Sequence, residues 1–294
     1  MPHFAPLVNS FAPLSSRRVP LGHPIRSGYR SSPRHTRRMN PLVLVGVGEM
    51  GGTFAKAFLR RGVPVYPALR SSDLDALAAR LPEPSLVLVT VGETDLHATL
   101  ASLPGPWRDR VGLIQNELLP RDWRAHAIVD PTVAAVWFEK KPGQDVKVLT
   151  PTPVAGPGAP AVVDALQSIG IDAVRIADAD LLQALVVKNV YILVSNIAGL
   201  KTGGTVDELW RIHNDLAMGT AKEILEIQQW LSATEFDREA VIERVLAGVE
   251  GDPDHRATGR SAPARLVRAI DHADEAGLPV PILRSIGRDE GLIA

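Results

Sequence analysis

The sequence contains no cysteine among its 294 residues, and this absence excludes several kinds of site. Disulfide bonds, catalysis by a thiolate and zinc sites with cysteine ligands all require that side chain. Apolar runs of membrane-spanning length are also missing, because Lys188 interrupts the longest one. We therefore expect a soluble protein with no membrane partner.

Acidic residues are missing from the first 48 positions, and the first 40 residues have a composition of their own. This segment contains seven arginines, six prolines and six serines. Its prolines interrupt any helix and it is too polar to form a core, so we predict a disordered extension over residues 1–40. Three interpretations remain open: a start assigned upstream of Met39, an organellar transit peptide, or a nucleic-acid-binding arm. The first is the simplest and implies a cytoplasmic protein.

The charge of the remaining chain argues against nucleic acid as a partner. Seven of the 32 basic residues lie in the first 40 positions, whereas all 33 acidic residues follow them. The rest of the chain therefore has eight more acidic than basic residues. Because such a surface repels a phosphate backbone, we expect the folded part to bind no nucleic acid.

Apolar periodicity divides the rest of the chain into two domains. Over residues 41–177, strand-like runs alternate with helical segments, which is typical of a doubly wound parallel sheet in an α/β Rossmann domain. From residue 178 to 294 the period is helical, which predicts an all-helical domain. The predicted strands are 42–45, 63–68, 85–91, 111–115, 127–129, 133–138, 146–149 and 173–176, with a turn over 150–160. The predicted helices of the second domain are 179–200, 206–230, 237–247 and 262–276.

The motif Gly46-x-Gly48-x-x-Gly51 lies between the first predicted strand and an amphipathic helix. In dinucleotide-binding domains these glycines allow a tight turn, close approach of the pyrophosphate and packing of helix on strand. The helix N-terminus also attracts phosphate, so we expect the intervening Glu49 and Met50 to contact the cofactor. The alternative is a tight strand-to-helix turn with no ligand.

Arg70 and Ser71 follow the second predicted strand, where NAD-binding domains place an acidic residue for the ribose hydroxyl. A guanidinium and a hydroxyl suit a 2′-phosphate instead, so we predict NADPH as the cofactor. Two alternatives remain open: Arg70 as a solvated loop residue, and Asp73 as a ribose acceptor.

These features together resemble the ketopantoate reductase family over roughly residues 40–290. The resemblance rests on the glycine turn with Arg70, on Asn116 at the end of a sheet strand, and on Lys188 followed eight residues later by Asn196. It implies an NADP-binding domain, a helical substrate domain and a catalytic lysine. The implied reaction is the reduction of 2-dehydropantoate to pantoate in pantothenate biosynthesis.

The residues support these roles on physical grounds. Lys188 and Asn196 lie about two turns apart on one face of an apolar helix, and burial lowers the pKa of a lysine toward the range of a general acid. We predict that Lys188 donates a proton to a ketone oxygen, while Asn116 and Asn196 position the substrate. We also expect Asn116 to contact the cofactor. The alternative is that Lys188 extends along the helix to solvent.

Four positions depart from the family pattern and change the expected substrate. Ile192 replaces an asparagine, Ser261 falls where the family has a substrate-binding glutamate, and Glu117 replaces a glycine. Gly92 falls where the family has a lysine that contacts the cofactor. We retain Ser261 as a candidate substrate contact. We expect an NADPH-dependent oxidoreductase acting on a small 2-oxo acid or related ketone, as a monomer or a homodimer.

Two other functions remain open at this stage. One is a non-catalytic protein that binds or senses NADPH, and the other is a dehydrogenase of an amino or imino acid in which Glu117 meets a cationic group. We expect no metal centre, because Asp252 and His255 lie in a polar loop of ordinary composition.

Overall fold

The computed structural model of the protein describes residues 40–294, so the predicted N-terminal extension lies outside the described residues. Seven strands form one sheet in the order β2-β1-β3-β4-β5-β8-β9, and two short strands form a separate hairpin. The strands are β1 Leu42–Val45, β2 Val65–Ala68, β3 Leu86–Val89, β4 Val111–Leu113, β5 Thr132–Ala134, β6 Phe138–Glu139, β7 Lys147–Val148, β8 Thr152–Ala155 and β9 Ala173–Arg175.

The sheet is mostly parallel, as predicted, and its central strands are buried on both faces. Strands β1 to β5 run parallel, whereas β8 pairs antiparallel to β5 and then parallel to β9. In β1, Leu42 and Leu44 face one core while Val43 and Val45 face the other. This two-sided burial explains why the strand is apolar without alternation.

Helices cover both faces of the sheet and then form a separate bundle. The helices among the strands are α1 Glu49–Arg60, α2 Leu74–Arg80, α3 Leu96–Ala101, α4 Pro120–Arg124 and α5 Ala159–Ser168. The bundle consists of α6 Leu181–Thr202, α7 Val206–Arg211, α8 Asn214–Ser232, α9 Arg238–Gly251, α10 Ala262–Ala276 and α11 Pro281–Asp289.

Helix α6 is the centre of the bundle and packs against α8, α9 and α10. Its length and hydropathy are sufficient for a membrane span, so the expectation that Lys188 excludes such a helix is wrong. Most of its residues are nevertheless buried against the other helices. A helix covered by protein on all sides must be apolar all round, which accounts for its composition.

Four predicted elements differ in the structure. The predicted strand 133–138 is divided into β5 and β6, which belong to different sheets. Residues 127–129 form no strand, because Ala127 adopts a left-handed φ of 55° in the turn after α4. The predicted turn over 150–160 contains β8, whose Pro153 still accepts a hydrogen bond from the Ala135 N–H at 2.9 Å. The predicted helix 206–230 is divided into α7 and α8, and α11 was not predicted.

The contact between α6 and the loop before α10 generates a prediction about stability. A Cβ on Gly199 would lie 2.1 Å from the carbonyl oxygen of Ala257, so this position accepts only glycine without movement of the backbone. We expect Gly199→Ala to lower the free energy of unfolding by about 1–3 kcal/mol. Chemical denaturation measures the change.

Gly52→Ala in α1 is the matched control, because a Cβ there meets nothing within 4 Å. Alanine in a helix interior is favoured over glycine by roughly 0.5–1 kcal/mol, so this variant should be at least as stable as the natural chain. Equal stability of the two variants would contradict the close packing at Gly199.

Candidate active site

The glycine turn after β1 has the geometry that its sequence predicts. Gly46 adopts a φ of 91°, and its carbonyl oxygen accepts a hydrogen bond from Thr90 Oγ1 at 2.6 Å. A Cβ on Gly51 would lie 2.4 Å from that same oxygen, so helix and strand can approach only with glycine there. A Cβ on Gly48 would meet nothing within 4 Å, which leaves open space above the turn.

Helix α1 begins at this turn with no side chain capping its N-terminus. Its first N–H groups have no acceptor within the helix and are available to an anion. Glu49 is an ion-pair partner of Lys140 at 3.3 Å, so the protein itself partly neutralises the carboxylate beside this N-terminus. Met50 lies on the side of α1 that faces Lys188 across a cavity.

A cleft of about 970 Å³ opens at the carboxyl ends of β1, β2 and β3, next to the glycine turn. This is where doubly wound sheets bind ligands. Arg70 and Ser72 line the cleft, whereas Ser71 does not belong to its lining. Asp73 accepts a hydrogen bond from the Ala76 N–H at 3.0 Å and caps α2, so its carboxylate has a structural role.

Arg70 has a partner that the sequence did not indicate. Its Nη2 donates to Asp95 Oδ2 at 2.7 Å, and its side chain remains 91% exposed. Asp95 lies in the 3₁₀ turn after β3 and also lines the cleft. The cleft therefore presents an exposed cation with a carboxylate beside it.

Two further cavities continue from the glycine turn toward the helical bundle. The first, of about 340 Å³, has Met50, Gly92 and Glu93 on its wall and is called the junction cavity here. The second, of about 190 Å³, has Tyr191 and Asn196 on its wall and is called the inner cavity. The residues that line both are Asn116, Val136, Phe138, Glu139 and Lys188.

Asn116 is held at the junction by the end of β4. The preceding Gln115 donates from Nε2 to the Val89 carbonyl at 2.8 Å and accepts from the Ile114 N–H. This buried side chain joins the ends of β3 and β4, so Asn116 is directed into the opening between the two cavities. The hydrogen bonds of Gln115 therefore also fix the position of Asn116.

One face of α6 forms the floor of the inner cavity. Lys188, Ile192 and Asn196 follow one another at intervals of four residues, and Tyr191 and Ser195 lie beside them. The predicted shared face of Lys188 and Asn196 is therefore present. Together with Asn116, both line the inner cavity, and the adjoining junction cavity leads to Met50 in the glycine turn.

Lys188 is buried, with 3% of its surface exposed. Burial lowers the pKa of its ammonium group to about 7, with Arg265 acting in the same direction and Glu93 opposing both. None of the carboxylates in residues 40–294 lies within ion-pair distance of its amine. A lysine in this state holds or releases a proton near neutral pH.

Arg265 is the central residue of the site, and the sequence analysis did not identify it. Its Nη1 donates to Asn196 Oδ1 at 2.9 Å, its Nε to Glu117 Oε1 at 2.9 Å and its Nη2 to Glu93 Oε1 at 2.6 Å. The guanidinium is buried and lines the inner cavity. It joins the ends of two sheet strands to the central helix of the bundle.

Ser261, the expected substrate contact, precedes α10 and lies outside the lining of both cavities. Arg265, one helical turn later, reaches the inner cavity instead. The only signal for Arg265 in the sequence is its distance of four residues from Ser261. This distance does not predict a buried side chain, because an arginine in an amphipathic helix usually faces solvent.

Glu117 adopts a φ of 61°, in the left-handed region that favours glycine. Its carboxylate accepts hydrogen bonds from both Arg265 and Arg268, the latter at 2.6 Å. The cationic group that Glu117 meets therefore belongs to the protein itself. This contact removes the observation on which an amino-acid substrate was suggested.

Two hydroxyl groups in the inner cavity have no hydrogen-bond partner among the described residues. They are Tyr191 Oη and Ser195 Oγ, both buried. Burial raises the pKa of the Tyr191 phenol, so this group stays protonated. Both hydroxyls are available to a ligand.

Comparisons with known proteins agree with this arrangement at the level of the fold. No protein-family model matches the sequence, and no curated protein matches it at a significant level. The structure is similar to that of 2-dehydropantoate 2-reductase from Methylococcus capsulatus, with a TM-score of 0.63 and 14% identity over 86% of this chain and 96% of that one. The predicted resemblance to ketopantoate reductases is thus confirmed for the fold.

Two other solved structures are similar to the same extent. A dimeric ketopantoate reductase from Staphylococcus aureus has a TM-score of 0.60 and 16% identity, covering 84% of this chain and 96% of its own. A D-mandelate dehydrogenase, solved with NADH and anilino(oxo)acetate, has a TM-score of 0.60 and 14% identity, covering 85% and 96%.

The lowered pKa of Lys188 predicts a pH-dependent stability. Between its folded pKa of about 7 and its unfolded pKa near 10.5, only the unfolded state holds the proton, so this residue makes stability rise with pH across that window. Below pH 7 the amine is protonated in both states, so the folded state carries the full desolvation cost of the buried charge. Lys188→Met should therefore stabilise the protein at pH 6, and its advantage should shrink between pH 7 and pH 10.

Unfolding by denaturant at a series of pH values measures this difference between variant and natural chain. Lys201→Met is the control, because Lys201 is half-exposed and pairs with Asp289 at the surface. An advantage of Lys188→Met that stays constant with pH would show that Lys188 titrates normally.

Proposed function

We propose that the protein is an NADPH-dependent reductase of a 2-oxo acid with a small apolar side chain. The observation that carries this proposal is the position of Lys188 and Asn116, at the opening between the junction cavity and the inner cavity. A ketone placed there lies between the glycine turn, where the cofactor is proposed to bind, and the buried amine of Lys188. The fold shared with ketopantoate reductases supports the same conclusion.

Reduction of a ketone needs a hydride at carbon, which NADPH supplies when bound, and a proton at oxygen. Lys188 donates that proton from Nζ, because its lowered pKa makes proton transfer favourable near neutral pH. Asn116 orients the keto oxygen by donating from its amide. The products are the 2-hydroxy acid and the oxidised cofactor, and Lys188 regains its proton from solvent.

The carboxylate of the substrate is assigned to Arg265 and Asn196. A guanidinium has five N–H donors, and three of them are used within the protein, which leaves two for a ligand. The positive charges of Lys188 and Arg265 favour an anionic substrate in the inner cavity. Ser195 adds a buried hydroxyl on the same wall.

The side chain of the substrate is assigned to the apolar part of the inner cavity. Its walls include Trp137, Phe138, Leu149 and Ile192 in addition to Val136. A volume of about 190 Å³ suits a small group. Ile192 and Ser261 replace two polar residues of the family, so we expect 2-dehydropantoate to be a poorer substrate than an apolar 2-oxo acid.

Replacement of Lys188 tests the proposed chemistry. General acid catalysis contributes roughly 10²- to 10⁴-fold, so Lys188→Ala should lower kcat by that factor on the best substrate of a 2-oxo acid panel that includes 2-dehydropantoate. The affinity for NADPH should change only a few-fold, because the amine contacts the reacting oxygen. Steady-state kinetics and cofactor titration give the two values.

Lys201→Ala serves as the control for loss of a lysine from the same helix, and its kcat should be unchanged. A kcat of Lys188→Ala equal to that of the natural chain would reject the proton-donor role. A non-catalytic protein that binds NADPH would then be the better account.

The choice of NADPH rests on Arg70, which is exposed at the cleft. A charge-assisted bond to a 2′-phosphate contributes roughly 1.5–3 kcal/mol, so Arg70→Ala should weaken NADPH by tenfold or more and leave NADH nearly unchanged. Asp95→Asn should have the opposite effect on NADPH, because it removes the carboxylate that competes for the guanidinium. Fluorescence titration of both cofactors with each variant measures the ratio; equal losses for NADPH and NADH in Arg70→Ala would exclude the assignment.

A further inference from the structure

Three metal-ligating side chains converge at the wall of the inner cavity. Glu139 ends β6, Asp252 follows α9, and His255 lies three residues later. His255 Nδ1 is 3.4 Å from Asp252 Oδ2 and 3.8 Å from Glu139 Oε2, and all three ligand atoms lie within 4.8 Å of one another. Glu139 and His255 also line the cavity.

Each carboxylate of this cluster is held by a lysine through its other oxygen. Lys147 Nζ donates to Asp252 Oδ1 at 2.5 Å, and Lys141 Nζ donates to Glu139 Oε1 at 3.1 Å. The oxygens that remain are the two nearest to His255. Bonds of this kind orient metal-ligating carboxylates in known sites.

Two of the three inner atoms are buried without a partner. Asp252 is 2% exposed, and its Oδ2 makes no hydrogen bond to any residue in the described range 40–294. His255 Nδ1 also makes no hydrogen bond to these residues, because its contact with Asp252 Oδ2 does not have the geometry of a hydrogen bond. A buried carboxylate oxygen without a partner is unfavourable, so this arrangement calls for a cation between the three groups.

We propose that Glu139, Asp252 and His255 bind a divalent cation, Zn²⁺ in preference to Mg²⁺ or Ca²⁺, with an open coordination position toward the inner cavity. Imidazole nitrogen and carboxylate oxygen are both ligands of zinc, whereas Mg²⁺ and Ca²⁺ prefer oxygen ligands alone. Bonds of about 2.0–2.2 Å place tetrahedral ligand atoms roughly 3.3 Å apart, close to the two measured distances from His255. An oxygen atom of a ligand in the cavity completes the coordination.

The cation has no part in the proton transfer assigned to Lys188, although its open coordination position faces the cavity proposed for the substrate. The two lysines lower the negative charge of the cluster, so we expect weaker binding than at a site with unpaired carboxylates. Sequence reasoning gave no metal centre because Glu139 is more than 100 residues from Asp252 and His255.

Zinc titration of the untagged full-length chain, freed of metal by a chelator, tests this site. Isothermal titration calorimetry should show one Zn²⁺ per chain, and saturating Zn²⁺ should raise the Tm. His255→Ala and Glu139→Gln should each weaken binding by about 10- to 100-fold or more and abolish the Tm shift. His213→Ala, which removes an exposed histidine next to α8, should behave like the natural chain.

The absorption spectrum of bound Co²⁺ gives a second readout that a purely structural role would not change. Natural chain and His213→Ala should show the intense visible bands of a four- or five-coordinate ion, and His255→Ala should lose them. Unchanged Zn²⁺ affinity in both cluster variants, or no binding by the natural chain, would overturn the proposal. The cluster would then be a network of polar contacts without a cation.

Discussion

The buried guanidinium of Arg265 is the interaction on which the candidate site depends. It binds Glu93 after β3, Glu117 after β4 and Asn196 in α6, so one side chain sets the position of the bundle against the ends of the sheet strands. Loss of one partner from such a buried network leaves an uncompensated charge, which costs several kcal/mol. The two cavities therefore have a defined shape only while this network is intact.

Burial is the main cause of the lowered pKa of Lys188, and the same network modifies that pKa. Glu93 favours the protonated amine, but its carboxylate is shared with Arg265, whose own positive charge acts against protonation. Without Arg265, Glu93 would be free to pair with Lys188 and hold its pKa high. Burial, together with a structural ion pair between the two parts of the molecule, thus keeps the lysine in the range useful for proton transfer.

Much of the fold and part of the site could be predicted because they follow from local patterns. The apolar strand before Gly46, the spacing of the three glycines and the shared helix face of Lys188 and Asn196 are features of neighbouring residues. Arg265 and the cluster of Glu139, Asp252 and His255 could not be predicted, since each depends on contacts between distant segments. Strand β8 was missed because Pro151 and Pro153 are typical of turns, although the sheet accommodates Pro153 through its carbonyl oxygen.

Glu117 shows how a departure from the family pattern becomes informative once the contacts are known. The glycine usual there suits a left-handed backbone, and this chain keeps that backbone with φ of 61° while placing a glutamate on it. The conformational strain costs roughly 1–3 kcal/mol and persists only where the surroundings stabilise it. Here the stabilisation comes from two guanidiniums of α10, Arg265 and Arg268, so glutamate and arginines form one unit. The substitution that first suggested a different substrate therefore strengthens the contact between the sheet and the bundle. The substrate specificity is then determined by the residues that line the inner cavity.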